Sequence, residues 1–405
     1  MRAGFGKYEL TPPLGVELTG YGYYLNRCAE TINDPLFARA LYLENEDVRS
    51  LVISCELLGL NKQVCAKVRA YAADRGISNV LMVSVHTHTG LSVKYHEGCG
   101  YPDEAYVATV ADRIICAVDL ALKDAAEVTS LSHMCAPLPG DYIYNRTIPD
   151  GPVDRTVRGF TLKRAGKAPV AAVSAACHCV FRGRSTAVSA DLAGAVNRLM
   201  EEKGFESMFL NGVCGDIDPW KPSDERLEAC AKLVTEIFSA SEEPLPLTLS
   251  SGALPFSLRL TEVTKEDIRA TAEEAVKRNG GPEIPAARVA LIWEEEMLAK
   301  FDSLTPEEAI SVQYVVLGGV PVIALPFESF TRTGQLIREA IGRPDALTLG
   351  CADELLGYLP TKDDIERGSY AALASTFLYK RLPVVPGEAE RLGEEMGRAL
   401  DQVLQ

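Results

Sequence analysis

The sequence is poor in histidine and tryptophan, with five histidines and two tryptophans among 405 residues. It also has fewer basic than acidic residues, 41 against 56, which gives a formal net charge of −15 at pH 7. Such a surface repels nucleic acid and anionic lipid, so we expect no nucleic acid and no membrane surface as partners. No apolar run approaches the roughly 20 residues that a membrane-spanning helix needs, so no membrane span is predicted.

The cysteines have no framework spacing, and their number, eleven, is odd. Several lie inside apolar runs, such as Cys55, Cys116 and Cys177, and we interpret them as reduced thiols. The first residues lack the charged-then-apolar pattern of a secretory signal, so we expect a cytoplasmic protein. Because no Pro-, Gly- or Ser-rich linker divides the chain, residues 1–405 are predicted to form a single domain.

Apolar runs with strand and helix periodicity alternate along the chain, which predicts an α/β fold with a mixed β-sheet core flanked by helices. The predicted strands are 36–43, 50–54, 80–85, 169–178, 207–210 and 245–260, with a hairpin over 311–325. The predicted helices are 62–74, 102–122, 192–203, 223–238, 265–278, 286–301 and 388–404.

Two of the scarce histidines lie in His86-Thr87-His88, directly after the apolar run 80–85. Residues two apart in an extended strand point the same way, so we expect both imidazoles on one face at the strand's end. Chemistry in α/β proteins is often placed where strands end, and neutral imidazole is a common zinc ligand. The pair therefore indicates a metal site or an acid/base pair, while the alternative is two surface histidines in a turn.

A catalytic zinc usually takes three protein ligands and an open position for water, so further donors are required elsewhere in the chain. His178 ends the apolar run 169–178 as His86 ends its own run, and Glu328 follows the apolar run 322–327. Each of these two residues also has a structural interpretation when it is taken alone. Together they predict polar groups from several strand ends that meet in one cleft.

Other potential ligands have competing interpretations. His96 and Cys99 have a chelating spacing, but the glycines around them are typical of an active-site loop. Cys177 and Cys179 lie on either side of the strand-end histidine, and in a strand they would face the opposite side, which favours core packing. Cys214 lies in a Gly-rich turn that resembles a nucleophile elbow but lacks the helix start expected there.

Several short blocks, spread over nearly the whole chain, occur in a characteristic order. They are Gly4-Phe5-Gly6-Lys7-Tyr8-Glu9-Leu10-Thr11-Pro12-Pro13, Thr19-Gly20-Tyr21-Gly22, Asp34-Pro35-Leu36-Phe37-Ala38-Arg39-Ala40-Leu41, His86-Thr87-His88, Asn145-Arg146, Cys177-His178, Ser189-Ala190-Asp191, Asn211-Gly212-Val213-Cys214-Gly215-Asp216-Ile217-Asp218-Pro219, Leu325-Pro326-Phe327-Glu328 and Gly357-Tyr358-Leu359-Pro360-Thr361. In this order they resemble the catalytic domain of the neutral/alkaline ceramidase family, and the resemblance implies the fold of that domain.

The resemblance also implies roles for individual residues. The positions that match the family's zinc ligands are His86, His178, Glu328 and Tyr358. His88 would lie beside the metal as a proton-transfer group, and Arg146 would hold the substrate's oxygen or the oxyanion. The bound zinc would polarise the scissile carbonyl and activate water. For Tyr358, an uncommon type of zinc ligand, the alternative is a turn tyrosine that packs against Pro360.

One departure from the family changes the expected substrate. Ceramidases have a Gly-Asp-Val-Ser-Pro-Asn block, whereas here Asp218 stands in place of the serine. A carboxylate can act as a general base or bind a substrate group, but it cannot attack as a serine does. We therefore predict a zinc-dependent hydrolase of a small, soluble amide or ester. The alternatives are a non-catalytic ligand-binding protein, or an esterase, isomerase or lyase on a polyol or sugar, for which Asp216 and Asp218 would be suitable.

Overall fold

The structure is a computed structural model, and it describes residues 1–23, 25–240 and 242–405. The strands are β1 (Arg2–Glu9), β2 (Thr31–Ile32), β3 (Phe37–Glu44), β4 (Arg49–Cys55), β5 (Asn79–Ser84), β6 (Ala126–Pro137), β7 (Ile143–Asn145), β8 (Thr156–Arg164), β9 (Lys167–Ala175), β10 (Ala187–Val188), β11 (Glu206–Asn211), β12 (Ile217–Pro219), β13 (Glu243–Leu245), β14 (Leu249–Arg259), β15 (Glu307–Leu317), β16 (Val320–Ala324), β17 (Glu328–Ser329), β18 (Leu347–Leu349) and β19 (Tyr358–Leu359). The helices are α1 (Lys62–Ala73), α2 (Glu104–Asp124), α3 (Asp191–Glu202), α4 (Asp224–Ala240), α5 (Lys265–Asn279), α6 (Pro285–Ala299), α7 (Thr331–Ala340), α8 (Lys362–Arg367), α9 (Ala374–Leu378) and α10 (Glu388–Leu404).

Helix boundaries follow capping signals in the sequence. The Asn61 side chain accepts a hydrogen bond from the backbone N–H of Val64 and so begins α1. Helix α5 begins with a capping box between Thr264 and Asp267, and it ends at Gly280, whose φ of 89° is left-handed. The predicted helices over 62–74 and 265–278 are therefore confirmed within one residue at each end.

Two sheets pack face to face at the centre of the protein. In the described part of the chain, the larger sheet has the order β11-β9-β8-β6-β1-β3-β4-β5, with β13 added beside β6, and the smaller has the order β14-β15-β16-β18. The larger sheet is mixed, because β4 and β5 run parallel and β9 and β11 run parallel, while the other neighbours pair antiparallel. The predicted α/β fold with a mixed sheet flanked by helices is confirmed.

Alternation along the strands separates the layers of the core. In β5, Val80 and Met82 pack towards α1 and α2, while Leu81 and Val83 face the smaller sheet. Helices α3 and α4 cover the β8–β9–β11 half of the larger sheet, and α5, α6, α7 and α10 cover the outer face of the smaller sheet. The layers are thus helices, sheet, sheet and helices. No helix in the ranges that the structure describes has the length and apolar character needed to cross a bilayer.

Glycines in β1 allow an unusually close approach of α2. A Cβ atom at Gly4 would lie 2.0 Å from the carbonyl oxygen of Ala121, and one at Gly6 would lie 2.0 Å from that of Ala117. Since no side chain fits at either position, the two glycines of the opening block allow α2 to pack directly on the backbone of β1.

Candidate metal centre

The histidine-bearing segments leave the larger sheet at neighbouring strand ends. β5 ends at Ser84 and β9 ends at Ala175, so His86 and His178 both lie beyond their strands. The predicted strand end at residue 178 is wrong, because β9 ends three residues earlier, at Ala175. The predicted extended geometry of the His-Thr-His segment is also wrong, because His86 has a left-handed φ of 64°. The chain turns at that residue, and the rings of His86 and His88 nevertheless lie 5.0 Å apart between centroids.

Asn211 joins the two strand ends. Its side-chain amide donates hydrogen bonds to the carbonyl oxygens of Val85 and Cys177, at 2.9 and 3.0 Å. Asn211 ends β11, which runs parallel to β9, and its side chain is fully buried. One amide therefore fixes the spacing of the two segments that carry His86 and His178.

The backbone orients both imidazoles. The Nδ1 atom of His86 lies 2.8 Å from the carbonyl oxygen of Leu58, and that of His178 lies 2.7 Å from the carbonyl oxygen of Cys214. Because a carbonyl only accepts, each Nδ1 carries a proton. Both Nε2 atoms point to the same oxygen, Oε2 of Glu328, at 3.2 Å each. A backbone carbonyl that holds Nδ1 and so directs Nε2 into the centre is typical of metal-binding histidines.

Glu328 is the first residue of β17, and its side chain extends to the histidines. It pairs with Tyr358 of β19, and its backbone N–H donates to the carbonyl oxygen of Gly357 at 2.9 Å. Burial by itself raises the pKa of Glu328, but the charges and hydrogen bonds of His86 and His178 hold it well below its usual range. Burial and the charge of Arg146 lower the pKa of His178, but the Cys214 side chain and, after it, the hydrogen bond to Glu328 raise it to about 10. The site thus favours a positive charge between the carboxylate and the imidazoles.

Arg146 connects three of the predicted residues. Its guanidinium donates to the hydroxyl of Tyr358 at 2.8 Å, to the carbonyl oxygen of Gly215 at 2.9 Å and to the carboxylate of Asp218 at 3.2 Å. One of its nitrogens lies 3.4 Å from Nε2 of His178. The structure therefore brings all four predicted metal ligands and the predicted catalytic residues Arg146 and Asp218 into one cluster.

Asp216 is a buried acid that hydrogen-bonds residues on either side of this cluster. Its carboxylate accepts hydrogen bonds from the side chain of Asn145 at 2.8 Å and from the backbone and hydroxyl of Thr331 at 2.8 and 2.9 Å. Its carbonyl oxygen accepts from the backbone N–H of Arg146. Burial raises the pKa of Asp216 to about 6 although Thr331 lowers it. The acid is only 1% exposed, so it positions Arg146 and is not a free acid in the cleft.

His88 is the third imidazole of the centre. Neither of its ring nitrogens has a hydrogen-bond partner among the described residues. Its ring lies 5.6 Å from that of His178 between centroids, and a Cβ atom at Gly20 would lie 2.4 Å from it, so this glycine makes room for the ring. Burial, together with His86, lowers the pKa of His88 well below its usual value, and the ring is neutral.

The donor set fits a divalent transition metal. The ligand atoms offered by His86, His88 and His178 all lie within 4.8 Å of one another, and a buried carboxylate faces two of these rings. Neutral imidazole nitrogen and carboxylate oxygen are the ligands that catalytic zinc sites use. Buried ring nitrogens without a partner, as those of His88 are among the described residues, are costly unless a bound group engages them.

The remaining candidate ligands lie outside this group. His96 and Cys99 do not form a metal group, because within the described residues the only such group is the three histidines. Cys177 and Cys179 are 1% exposed and pack in the core under α3 and α4, which confirms the core interpretation. Cys214 is also 1% exposed, and it contributes its backbone carbonyl to the centre.

Sequence reasoning missed a tyrosine at the centre. The hydroxyl of Tyr379 lies 2.5 Å from Oε1 of Glu328, which is not the oxygen that His86 and His178 share. Tyr379 follows α9 in a stretch without a recognisable motif. Nothing in its neighbourhood in the sequence indicates a functional role.

A cleft of about 640 Å³ opens beside Arg146. Tyr144 and Trp220 line it, with ring centroids 5.1 Å apart, and the Trp220 side chain is 42% exposed. Tyr144 lies opposite Asp218 in the register of β7 and β12, so the aromatic wall begins directly beside the polar cluster. The cleft has the size of a small-molecule site.

No protein-family model matches the sequence, and no curated protein sequence matches it. Two solved structures are similar to it along 99% of its length. One is neutral ceramidase from Pseudomonas aeruginosa, with a TM-score of 0.75, 17% identity and 74% of that chain covered. The other is a ceramidase complexed with C2, with a TM-score of 0.75, 16% identity and 75% covered. The chain has the neutral ceramidase fold. The resemblance predicted from the short blocks is thus confirmed at the level of the fold.

Some of the blocks that predicted the ceramidase fold contain residues whose hydrogen bonds join separate segments of the chain. The Ser189 hydroxyl donates to the carboxylate of Asp34 at 2.6 Å, which connects two distant blocks. Asp191, with a left-handed φ of 54°, accepts hydrogen bonds from the backbone N–H groups of Phe181 and Arg182. These contacts explain how residues away from the metal centre can indicate the fold.

Proposed function

We propose that the protein is a zinc-dependent hydrolase that cleaves an amide bond in a small, soluble N-acyl substrate. The observation that carries this proposal is the convergence of the Nε2 atoms of His86 and His178 on Oε2 of Glu328, inside a buried cluster that also contains Arg146. The neutral ceramidase fold of the chain supports amide over ester as the bond that is cleaved.

The proposed ligands are His86, His178, Glu328 and Tyr358. When bound, zinc polarises a carbonyl oxygen and lowers the pKa of water to near neutrality. Burial raises the pKa of Tyr358 well above its usual value, so its phenol is neutral until a cation beside it opposes that effect. Arg146, which donates to this phenol, supports a partly or fully deprotonated oxygen there.

Arg146 and His88 have separate tasks in the proposed reaction. The guanidinium of Arg146 is fixed by Asp218 and by the carbonyl of Gly215, so its positive charge is already in place to hold an oxyanion. His88 is neutral and has a free ring nitrogen, which suits it to take a proton from water and pass it to the leaving amine.

Asp218 and the aromatic wall define the proposed substrate. The Asp218 carboxylate, paired with Arg146, is partly exposed and can accept a hydrogen bond from a hydroxyl or amine near the scissile bond. The cleft of about 640 Å³ beside it takes a drug-sized molecule, with the exposed face of Trp220 against an apolar part. A compact N-acyl compound meets both requirements.

The test begins with elemental analysis of the purified protein and of His86→Ala, Glu328→Ala and, as a control, His133→Gln. His133 is a buried histidine of β6 outside the centre. We expect about one zinc per chain in the unaltered protein and in the control, and its loss in the other two variants.

Hydrolysis is then measured on soluble N-acyl compounds, matched esters and ceramide. We expect turnover of the N-acyl compounds that a chelator removes and added zinc restores. A protein that takes up no zinc would contradict the proposal and leave the ligand-binding alternative. Zinc without turnover of any amide would contradict the amidase and favour the esterase, isomerase or lyase alternatives.

A further inference from the structure

The two carboxylate oxygens of Glu328 have different partners. Oε2 lies 3.2 Å from Nε2 of His86 and 3.2 Å from Nε2 of His178. Oε1 accepts a hydrogen bond of 2.5 Å from the hydroxyl of Tyr379. One oxygen of the carboxylate therefore faces the imidazoles of His86 and His178, and the other is already hydrogen-bonded to Tyr379.

The ring of Tyr379 is held on two sides. A Cβ atom at Gly357, whose φ is 109°, would lie 2.9 Å from the ring, so the ring lies flat against the backbone just before Tyr358. The ring of His96 meets it edge to face, with centroids 4.4 Å apart, and His96 is 3% exposed. Because space on both sides is filled, the hydroxyl has one position, and that position is at Glu328.

The backbone around Tyr379 is fixed as well. Lys380 makes an ion pair with Glu97 at 3.1 Å and a second with Glu296. The carbonyl oxygen of Arg381 accepts a hydrogen bond from the indole N–H of Trp293 at 2.9 Å. The tyrosine thus lies on a segment tied both to the loop that follows the His-Thr-His segment and to α6.

We propose that Tyr379 is a positioning residue for the metal centre, which holds Glu328 so that the carboxylate offers a single oxygen, Oε2, to the ion. This inference rests on the proposed function, since it requires that the centre binds zinc. A hydrogen bond to the second oxygen keeps a carboxylate ligand oriented and reduces the entropy that the ligand loses on binding metal. It also leaves more of the ion's surroundings open to water and substrate than a carboxylate bound through both oxygens would.

The test compares zinc affinity in two variants that each lose one tyrosine hydroxyl. Tyr379→Phe removes the hydrogen bond to Glu328 and keeps the ring. Tyr71→Phe is the matched control, because the Tyr71 hydroxyl donates to a carboxylate, that of Asp119, at the same distance of 2.5 Å and joins α1 to α2 far from the centre. Dissociation constants are measured by competition with a chromogenic chelator, and thermal unfolding of the metal-free proteins is measured alongside.

We expect Tyr379→Phe to weaken zinc binding by about 10- to 100-fold, the usual effect of losing a group that orients a metal ligand. Tyr71→Phe is expected to bind zinc like the unaltered protein. A second variant, His96→Ala, leaves the hydroxyl in place but frees the ring, and it is expected to weaken binding less than Tyr379→Phe does. With cobalt in place of zinc, the visible absorption spectrum of Tyr379→Phe should shift, since the carboxylate then binds differently.

Unchanged zinc affinity in both Tyr379→Phe and His96→Ala would overturn the inference and leave the proposed function intact. An equal loss of affinity in Tyr71→Phe would overturn it too, because the effect would then be one of general stability. If the unaltered protein binds no zinc, the proposed function fails and the inference fails with it.

Discussion

Two buried polar clusters of this protein differ in how completely their atoms are bonded. The first, between β3 and α3, is centred on Arg39, which donates to Glu56 at 2.9 Å, to the carbonyl oxygen of Ser207 at 2.8 Å and to Glu201. The Glu56 carboxylate also accepts from the backbone N–H of Phe37 at 2.7 Å. We call this group the ion-pair cluster, and its charges are fully engaged with one another.

The second cluster is the candidate metal centre of His86, His88, His178 and Glu328. Both ring nitrogens of His88 lack a partner within the described part of the chain, and two Nε2 atoms share one oxygen of Glu328. Leaving a buried polar atom unpaired costs about 1–3 kcal/mol, so such a group persists only where something else repays the cost. The comparison teaches that buried charges alone do not indicate function, whereas buried polar atoms that lack hydrogen-bond partners do.

The largest expected effect is on kcat, when the imidazole of His88 with its unpartnered nitrogens is removed. The His88→Ala variant should keep its zinc and lose about 10²- to 10⁴-fold in kcat, because a general acid/base is lost while the proposed ligands stay. The measurement is zinc content together with steady-state kinetics on a soluble N-acyl substrate. Loss of zinc in this variant would mean that His88 is a ligand and that the predicted division of roles is wrong.

The converse change removes a charge from the ion-pair cluster. Glu56→Ala leaves Arg39, which is 3% exposed, without its closest buried partner, and should lower the free energy of unfolding by roughly 3–5 kcal/mol. Zinc affinity of the folded fraction should not change. Urea unfolding and chelator competition on the same preparation measure both quantities. A change in zinc affinity without loss of stability would break the distinction between the clusters.

Arg146 lies at the edge of the candidate metal centre, 3.4 Å from Nε2 of His178. Arg146→Lys keeps the charge and loses the planar set of donors that contacts Tyr358 and Asp218, so we expect kcat to fall by about 10²- to 10³-fold with zinc retained. Stopped assays and elemental analysis are sufficient. A rise in KM with unchanged kcat would instead assign Arg146 to substrate binding.

The smallest effect is expected at the exposed rim of the ion-pair cluster. Lys7 pairs with Glu201 at 2.9 Å, and both side chains are about one-third exposed. Lys7→Met should change the free energy of unfolding by less than about 1 kcal/mol, because water screens such a pair. A change as large as that of Glu56→Ala in the same urea experiment would show that the cluster is stabilised as one network.

The sequence could predict the periodic parts of the fold and the chemistry of the scarce residues. The apolar run over 80–85 and the helical spacing over 62–74 are local signals, and the structure confirms a strand and a helix there. His86, His178 and Glu328 were identified because each follows an apolar run, and strand ends from one sheet meet at its edge.

The sequence could not predict contacts that depend on three-dimensional proximity. The left-handed turn at His86 could not be predicted from the sequence, because even the residue types that are enriched in that conformation, histidine among them, adopt it in only a small minority of cases. The sequence marks Asn211 only as part of a block, because its hydrogen bonds join two chain segments that are distant from it in the sequence. Tyr379 belongs to the same class, because its partner, Glu328, is 51 residues away.

The centre is assembled from segments that are distant along the chain: His178 and Glu328 are 150 residues apart, and Arg146 and Tyr358 are 212 apart. Bringing such segments together is slow, because chain entropy opposes long-range closure until many contacts form at once. Under the proposed function, high-affinity zinc uptake therefore requires nearly the whole chain to have folded. The rate at which a refolding sample acquires tightly held zinc would accordingly report the rate of the last folding step.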